Sequence, residues 1–127
     1  MTQRRALLAE DSLLILIGLE MLLEQYEIGL VGPASTLAEA LALTRQGGFD
    51  IAILDINLHN EPSYPVADLL VERGIPFIFT TGYNTDMLPA RFAGVASLQK
   101  PYESDALMAL VEQAFCKLDL QDKADSR

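Results

Sequence analysis

Four short stretches of this chain hold the residues best suited to chemistry. Glu10 and Asp11 stand together in AEDS, Asp55 directly follows the apolar run Ile51-Ala52-Ile53-Leu54, Thr81 lies in FTTG, and Lys100 precedes a proline in QKP. Three carboxylates gathered at one place repel, and each raises the pKa of the others unless a cation neutralises them. A hard divalent ion such as Mg²⁺, which takes oxygen ligands and keeps several waters, suits that set. With such an ion bound, one carboxylate can act as a nucleophile toward phosphorus, Lys100 can offset charge on the transferring oxygens, and Thr81 can offer them a hydroxyl. Taken singly, Asp55 reads as an acid capping a turn, Glu10 and Asp11 as acids at a helix start, and Lys100 as a solvated strand end. The full set favours the chemical reading.

That set is useful only if the chain brings it together. The run before Asp55 does not alternate, which fits a strand buried on both faces, as in a parallel sheet covered by helices. Apolar runs alternate with segments of helical period down the whole chain, so the expected fold is α/β: a doubly wound (βα)5 arrangement, a five-stranded parallel sheet with helices on both faces. The strands are expected at about 5–9, 28–31 (closed by Gly32-Pro33), 51–54, 77–80 and 96–99. Glu10, Asp11, Asp55, Thr81 and Lys100 then all follow or end strands, at the carboxyl edge where open α/β sheets bind ligands.

Helix one is expected over about 12–26 with Ser12 as its cap, and helix two from Thr36, whose spacing to Glu39 makes a capping box, to about Gln46. Helix three should be short, about 66–72, with Pro62 and Pro65 holding the preceding segment in a loop. The fourth helix should be brief or start near Pro89, with Tyr83–Val95 mobile. Helix five is expected over about 104–118. One domain, 1–120, is followed by a polar tail, 121–127.

Composition narrows the function. The 127 residues carry 18 acidic and 9 basic side chains, a formal charge of −9, which repels nucleic-acid phosphates and anionic membranes. The single cysteine, Cys116, cannot form an internal disulfide and is expected to pack as a small hydrophobe. The N-terminus has no signal-peptide pattern, and Leu13–Leu23 is too short to span a bilayer, so the expected location is cytoplasmic. His59, the one histidine, is read as a loop surface residue.

The stretches EDS, LDIN, TTG and QKP, in this order, resemble the receiver domain of bacterial response regulators over essentially the whole chain. The resemblance implies the flavodoxin-like receiver fold, with Asp55 as phosphoacceptor, Glu10, Asp11 and Asp55 as Mg²⁺ ligands together with the backbone carbonyl of Asn57, and Thr81 and Lys100 as the phosphate-contacting residues. The segment PFIFTTGY, preceded by NEPSYPVADLL, is similar to the FAT GUY group of receivers, though Thr80 stands where that group usually has alanine. The implied partners are a sensor histidine kinase, of HWE or HisKA2 type, or a phosphotransfer protein, together with an unspecified downstream target. Catalysis is then limited to the domain's own phosphotransfer and autodephosphorylation, and homodimerisation is left open.

Many receivers place an aromatic three positions before the lysine, and here that residue is Ser97. In its place stand two readings: a switch by ordering of Tyr83–Val95, driven by Thr81, or a short static helix that Pro89 merely starts. The resemblance to receivers also implies that Asn57 and Tyr83 tune the phosphoryl lifetime. Helix one should turn Ile15, Gly18, Leu19, Leu22 and Leu23 to the core and leave Leu13, Leu16, Ile17 and Met21 as an apolar contact surface. The rival reading is a haloacid-dehalogenase-like phosphatase with Asp55 as nucleophile, but such enzymes want a second acid two residues on, where this chain has Asn57. A flavodoxin-like ligand carrier would want a phosphate-cradling loop after strand one, where EDS stands.

Overall fold

The computed structural model describes residues 3–82 and 88–125. In chain order the elements are β1 (Arg5–Ala9), α1 (Leu13–Gln25), β2 (Gly29–Ala34), α2 (Leu37–Gln46), β3 (Ile51–Asp55), β4 (Asn57–Leu58), β5 (Glu61–Pro62), α3 (Tyr64–Glu72), β6 (Phe77–Thr81), a 3₁₀ turn (Ala90–Phe92), β7 (Ser97–Gln99) and α4 (Ser104–Asp125). Five strands make one parallel sheet in the order β2-β1-β3-β6-β7, so the chain reverses its direction of travel between β1 and β3.

The unbroken apolar runs are explained by burial on both faces. Ala52 and Leu54 of β3 join Leu7, Ala9, Phe77 and Phe79 in a core covered by α2 and α3. Ile51 and Ile53 face the other way, joining Ala6, Leu8 and Ile78 beneath α1 and α4. Each fully buried Leu, Ile or Phe of these layers contributes roughly 1.5–3 kcal/mol by leaving water.

The helix starts follow their caps. Ser12 Oγ accepts the Ile15 N–H at 3.5 Å, and Thr36 Oγ1 accepts the Glu39 N–H at 3.1 Å. Both were legible as polar residues ahead of periodic segments.

Several boundaries differ from the sequence expectation. Strand β2 does not close at Gly32-Pro33 but runs on to Ala34, with its register against β1 slipping between Leu7 and Ala9. Gly32 carries φ 100°, and a Cβ there would lie 2.9 Å from the Ala34 nitrogen, so a side chain would jam the irregular step. The stretch after Asp55 is not a plain loop. It folds into the β4–β5 hairpin, turning on His59 and Asn60 at φ 50° and 66°. Helix α3 starts at Tyr64 with Pro65 in its first turn, where no N–H is needed. Helix α4 continues past Leu118 to Asp125.

Among the described residues, the 3₁₀ turn directly after Pro89 stands where the fourth helix was expected. Of the segment expected to be mobile, residues 83–87 lie outside the described residues. The remainder is anchored by Phe92, 1% exposed among Tyr64, Phe77 and Phe79, and by the Arg91–Asp68 ion pair at 2.8 Å.

On α1 the core face is Leu16, Leu19 and Leu23, with Ile15 and Leu22 partly buried, whereas Gly18 is exposed. Leu16 therefore belongs to the core, and the outer apolar surface is Leu13, Leu14, Ile17 and Met21. Cys116 is also not packed: it is exposed on α4, while its neighbours Ala114 and Phe115 are buried against the sheet. Among the described residues no helix is long and apolar enough to cross a membrane.

Candidate functional site

Parallel pairing brings the carboxyl ends of β1, β3, β6 and β7 to one edge, and the polar residues singled out from the sequence meet there. Glu10 follows β1 and is fixed by its own N–H donating to the Ala34 carbonyl at 2.9 Å. Asp55 ends β3, Thr81 ends β6, and Lys100 follows β7, with the Lys100 N–H donating to the Thr81 carbonyl at 2.6 Å. Glu10, Asp55 and Thr81 are all buried.

The Lys100 ammonium bridges two of the acids. Its Nζ lies 2.6 Å from Glu10 Oε1 and 2.8 Å from Asp55 Oδ2. Asp55 Oδ1 accepts the Asn57 N–H at 3.2 Å, and Glu10 Oε2 accepts the Ser12 N–H at 3.1 Å. Asp11, Asp55, Asn57, His59, Asn60, Gly82 and Lys100 line one cleft of about 340 Å³.

The charges perturb one another in the expected sense. Burial, reinforced by Asp55, pushes the Glu10 carboxyl up to about 7 against the pull of Lys100. Burial would lower the Lys100 pKa, but the Asp55 and Glu10 carboxylates outweigh it and raise it. Asp11 runs the other way: burial is overcome by the His59 N–H bond and other neighbours, which lower its pKa.

These residues fit a divalent ion. Glu10, Asp11 and Asp55 each offer a carboxylate oxygen, and the three oxygens lie within 4.8 Å of one another. The donor set is all oxygen, as Mg²⁺ requires. Glu10 Oε1 is buried and in contact with the Lys100 ammonium at 2.6 Å. Asn57 lines the same cleft.

Tyr83 lies outside the described residues. Three features of the site were not legible in the sequence. The His59 N–H donates to Asp11 Oδ2 at 2.9 Å, so the hairpin tip helps hold an acid of the cluster while the residue itself stays exposed. Ser63 Oγ donates to the Asp55 carbonyl at 2.7 Å. The Tyr102 hydroxyl is buried without a hydrogen-bond partner, and burial, with Glu10 nearby, pushes its pKa up to about 12. A short polar run between prolines and a tyrosine after Lys-Pro were the available signals, and both are common in loops.

The model of the response regulator receiver domain family matches residues 6–112. The chain belongs to that family. Among solved structures, the receiver is similar to SdrG from Sphingomonas melonis Fr1, with 42% identity over 91% of this chain and 97% of that one and a TM-score of 0.75. It is also similar to a structure described as the BeF3-activated conformation of SdrG from Pseudomonas melonis Fr1, with 39% identity, 88% and 97% coverage and a TM-score of 0.72. The response regulator PhyR from Brucella abortus is 28% identical over 97% of this receiver but 52% of its own chain, with a TM-score of 0.82. No match was found among curated proteins. Membership of the family sets aside the phosphatase and ligand-carrier readings.

Proposed function

We propose that this receiver, taken as residues 1–120, is a single-domain response regulator. It works in the cytoplasm and accepts a phosphoryl group on Asp55 from a sensor histidine kinase, of HWE or HisKA2 type, or from a phosphotransfer protein. The observation that carries this reading is the Lys100 ammonium held at 2.8 Å from Asp55 Oδ2 and 2.6 Å from Glu10 Oε1 at the edge of a cluster of three acids. A divalent ion held by the carboxylates of Glu10, Asp11 and Asp55 and the carbonyl of Asn57 would supply positive charge against the phosphoryl oxygens.

The chain's own residues do the rest. One Asp55 carboxylate oxygen forms a bond to phosphorus as the donor's P–N bond breaks, leaving the imidazole to take up a proton. Lys100, already on the Asp55 carboxylate, moves to a phosphoryl oxygen, and the Thr81 hydroxyl donates to another. Water later cleaves the acyl phosphate and restores the carboxylate. The domain signals by binding another protein in the phosphorylated state, or serves as a phosphate sink.

The exposed face of α1, with Leu13, Leu14, Ile17 and Met21, continues into a groove of about 410 Å³ that also takes in Leu14, Gly18, Lys100 and Pro101. It is the surface we assign to the phosphodonor protein, because it is apolar and reaches the lysine of the site.

Beryllofluoride mimics a phosphoryl group, and SdrG is described in a BeF3-activated conformation. With Mg²⁺ present, beryllofluoride should shift the amide resonances of Asp55, Thr81 and Lys100 in the wild type and leave them unmoved in Asp55→Asn. Equal shifts in both proteins would contradict the assignment.

A further inference from the structure

Ser63 precedes α3 as its cap residue, yet its hydroxyl makes no bond to the helix amides. Those amides do not need it. Pro65 has no N–H, and the Val66 and Ala67 N–H groups donate to the Ser63 carbonyl at 3.0 and 3.2 Å. The hydroxyl instead donates to the Asp55 carbonyl, eight residues back, at 2.7 Å.

This bond closes a frame around one peptide group. The Asp55–Ile56 peptide has its carbonyl held by Ser63 Oγ and its N–H donating to the Thr80 carbonyl at 2.9 Å. It is tied on one side to the base of the β4–β5 hairpin and on the other to β6. The donor is itself fixed: Ser63 is 0% exposed, and its N–H donates to the Ile56 carbonyl at 2.7 Å. Its neighbour Tyr64 stacks on Phe92 with ring centroids 5.6 Å apart.

We propose that Ser63 is a positioning residue for phosphorylation, acting through the Asp55 main chain. β3 ends at Asp55, so the strand ladder constrains its nucleophile from one side only, and the pinned Asp55–Ile56 peptide supplies the other constraint. With that peptide fixed, the Asp55 carboxylate is held between the Asn57 N–H at 3.2 Å and Lys100 Nζ at 2.8 Å. Attack at phosphorus depends steeply on such placement, and an error of about 1 Å can cost ~100-fold in rate. The hydroxyl reaches the nucleophile only through the Asp55 carbonyl, so its role is geometric. The proposal rests on the reading of Asp55 as phosphoacceptor.

The test is the rate of acetyl phosphate labelling, followed by intact mass at saturating Mg²⁺, for wild type, Ser63→Ala and Ser63→Thr. Urea unfolding and the Mg²⁺ half-saturation concentration are measured beside it. The expected result is a folded Ser63→Ala protein that labels about tenfold more slowly even when Mg²⁺ saturates, with Ser63→Thr restoring the rate through its hydroxyl. A purely structural role would lower the urea midpoint while leaving the saturated rate of the folded protein unchanged, and that outcome overturns the proposal. If Ser63→Ala does not fold, Ser63→Thr and Ser63→Cys replace it, and equal saturated rates for hydroxyl and thiol overturn it too. A wild type labelled neither by acetyl phosphate nor by its cognate kinase overturns the phosphoacceptor reading and the positioning role together.

Discussion

Lys100 and Asp55, 45 residues apart in the chain, are joined by a 2.8 Å contact between Nζ and Oδ2, with Glu10 on the same ammonium at 2.6 Å. One cation thus holds two buried acids that would otherwise repel, and it stands where charge builds up when phosphorus is attacked. Replacing Lys100 with Ala should slow acetyl phosphate labelling by ~100-fold or more, the scale seen when one donor to a developing charge is removed. Lys100→Arg should recover little, because a planar guanidinium does not replace a point charge between two carboxylates. Labelling rates at saturating Mg²⁺ measure both.

Glu10 gives the site a pH dependence with a definite sign. Its carboxyl is raised from 4.5 to about 7 in the folded protein, so its contribution to stability is fully present below pH 4.5 and is lost as the pH rises to about 7. Metal-free protein should therefore lose stability across that window, and Glu10→Gln should flatten the slope. Mg²⁺ competes with the proton, so the midpoint gain on adding Mg²⁺ should be larger at pH 8 than at pH 6 and vanish with chelator. At a concentration 100 times the dissociation constant that gain is about 2.7 kcal/mol. Urea melts at four pH values, with and without Mg²⁺, check both statements.

The exposed side of α1 separates docking from chemistry. Leu14→Glu and Ile17→Glu should leave labelling by acetyl phosphate unchanged while cutting transfer from the cognate kinase by about tenfold or more, as loss of buried anchors does at interfaces. Leu16, which is 6% exposed and packs into the core, should behave differently. Leu16→Glu should unfold the domain and abolish both activities.

Phe92 and Arg91 anchor the same short turn with unequal strength. Phe92→Ala empties the centre of an aromatic cluster with centroid distances of 5.5 Å to Phe79 and 5.6 Å to Tyr64, and should cost about 3–5 kcal/mol. Asp68→Ala removes only the half-exposed partner of Arg91 and should leave the unfolding midpoint nearly unchanged. Denaturant melts of the two variants test this ordering.

The sheet was readable because a strand buried on both faces leaves an unbroken apolar run, and Asp55 was conspicuous because it breaks one. Ser12 and Thr36 declared their helices through side chains that cap free amides. What the sequence concealed depends on partners distant in the chain. Leu16 was misplaced because α1 is apolar nearly all round, and a helix without a polar face has little periodicity to read. β2 passes through Gly32-Pro33 because β1 lies beside it, and the β4–β5 hairpin needs positive φ at His59 and Asn60, neither of them glycine. The acids and Lys100 announced themselves by charge. Ser63 did not, since a serine between two prolines reads as turn chemistry until the Asp55 carbonyl is seen at its hydroxyl.

The most direct test is intact-mass analysis of wild type and Asp55→Asn after incubation with acetyl phosphate, with and without Mg²⁺. One labile phosphoryl adduct, formed only with Mg²⁺ and absent from Asp55→Asn, is the expected result. An adduct that persists in Asp55→Asn, or none on a wild type that its cognate kinase also fails to label, would contradict the assignment of Asp55 as phosphoacceptor.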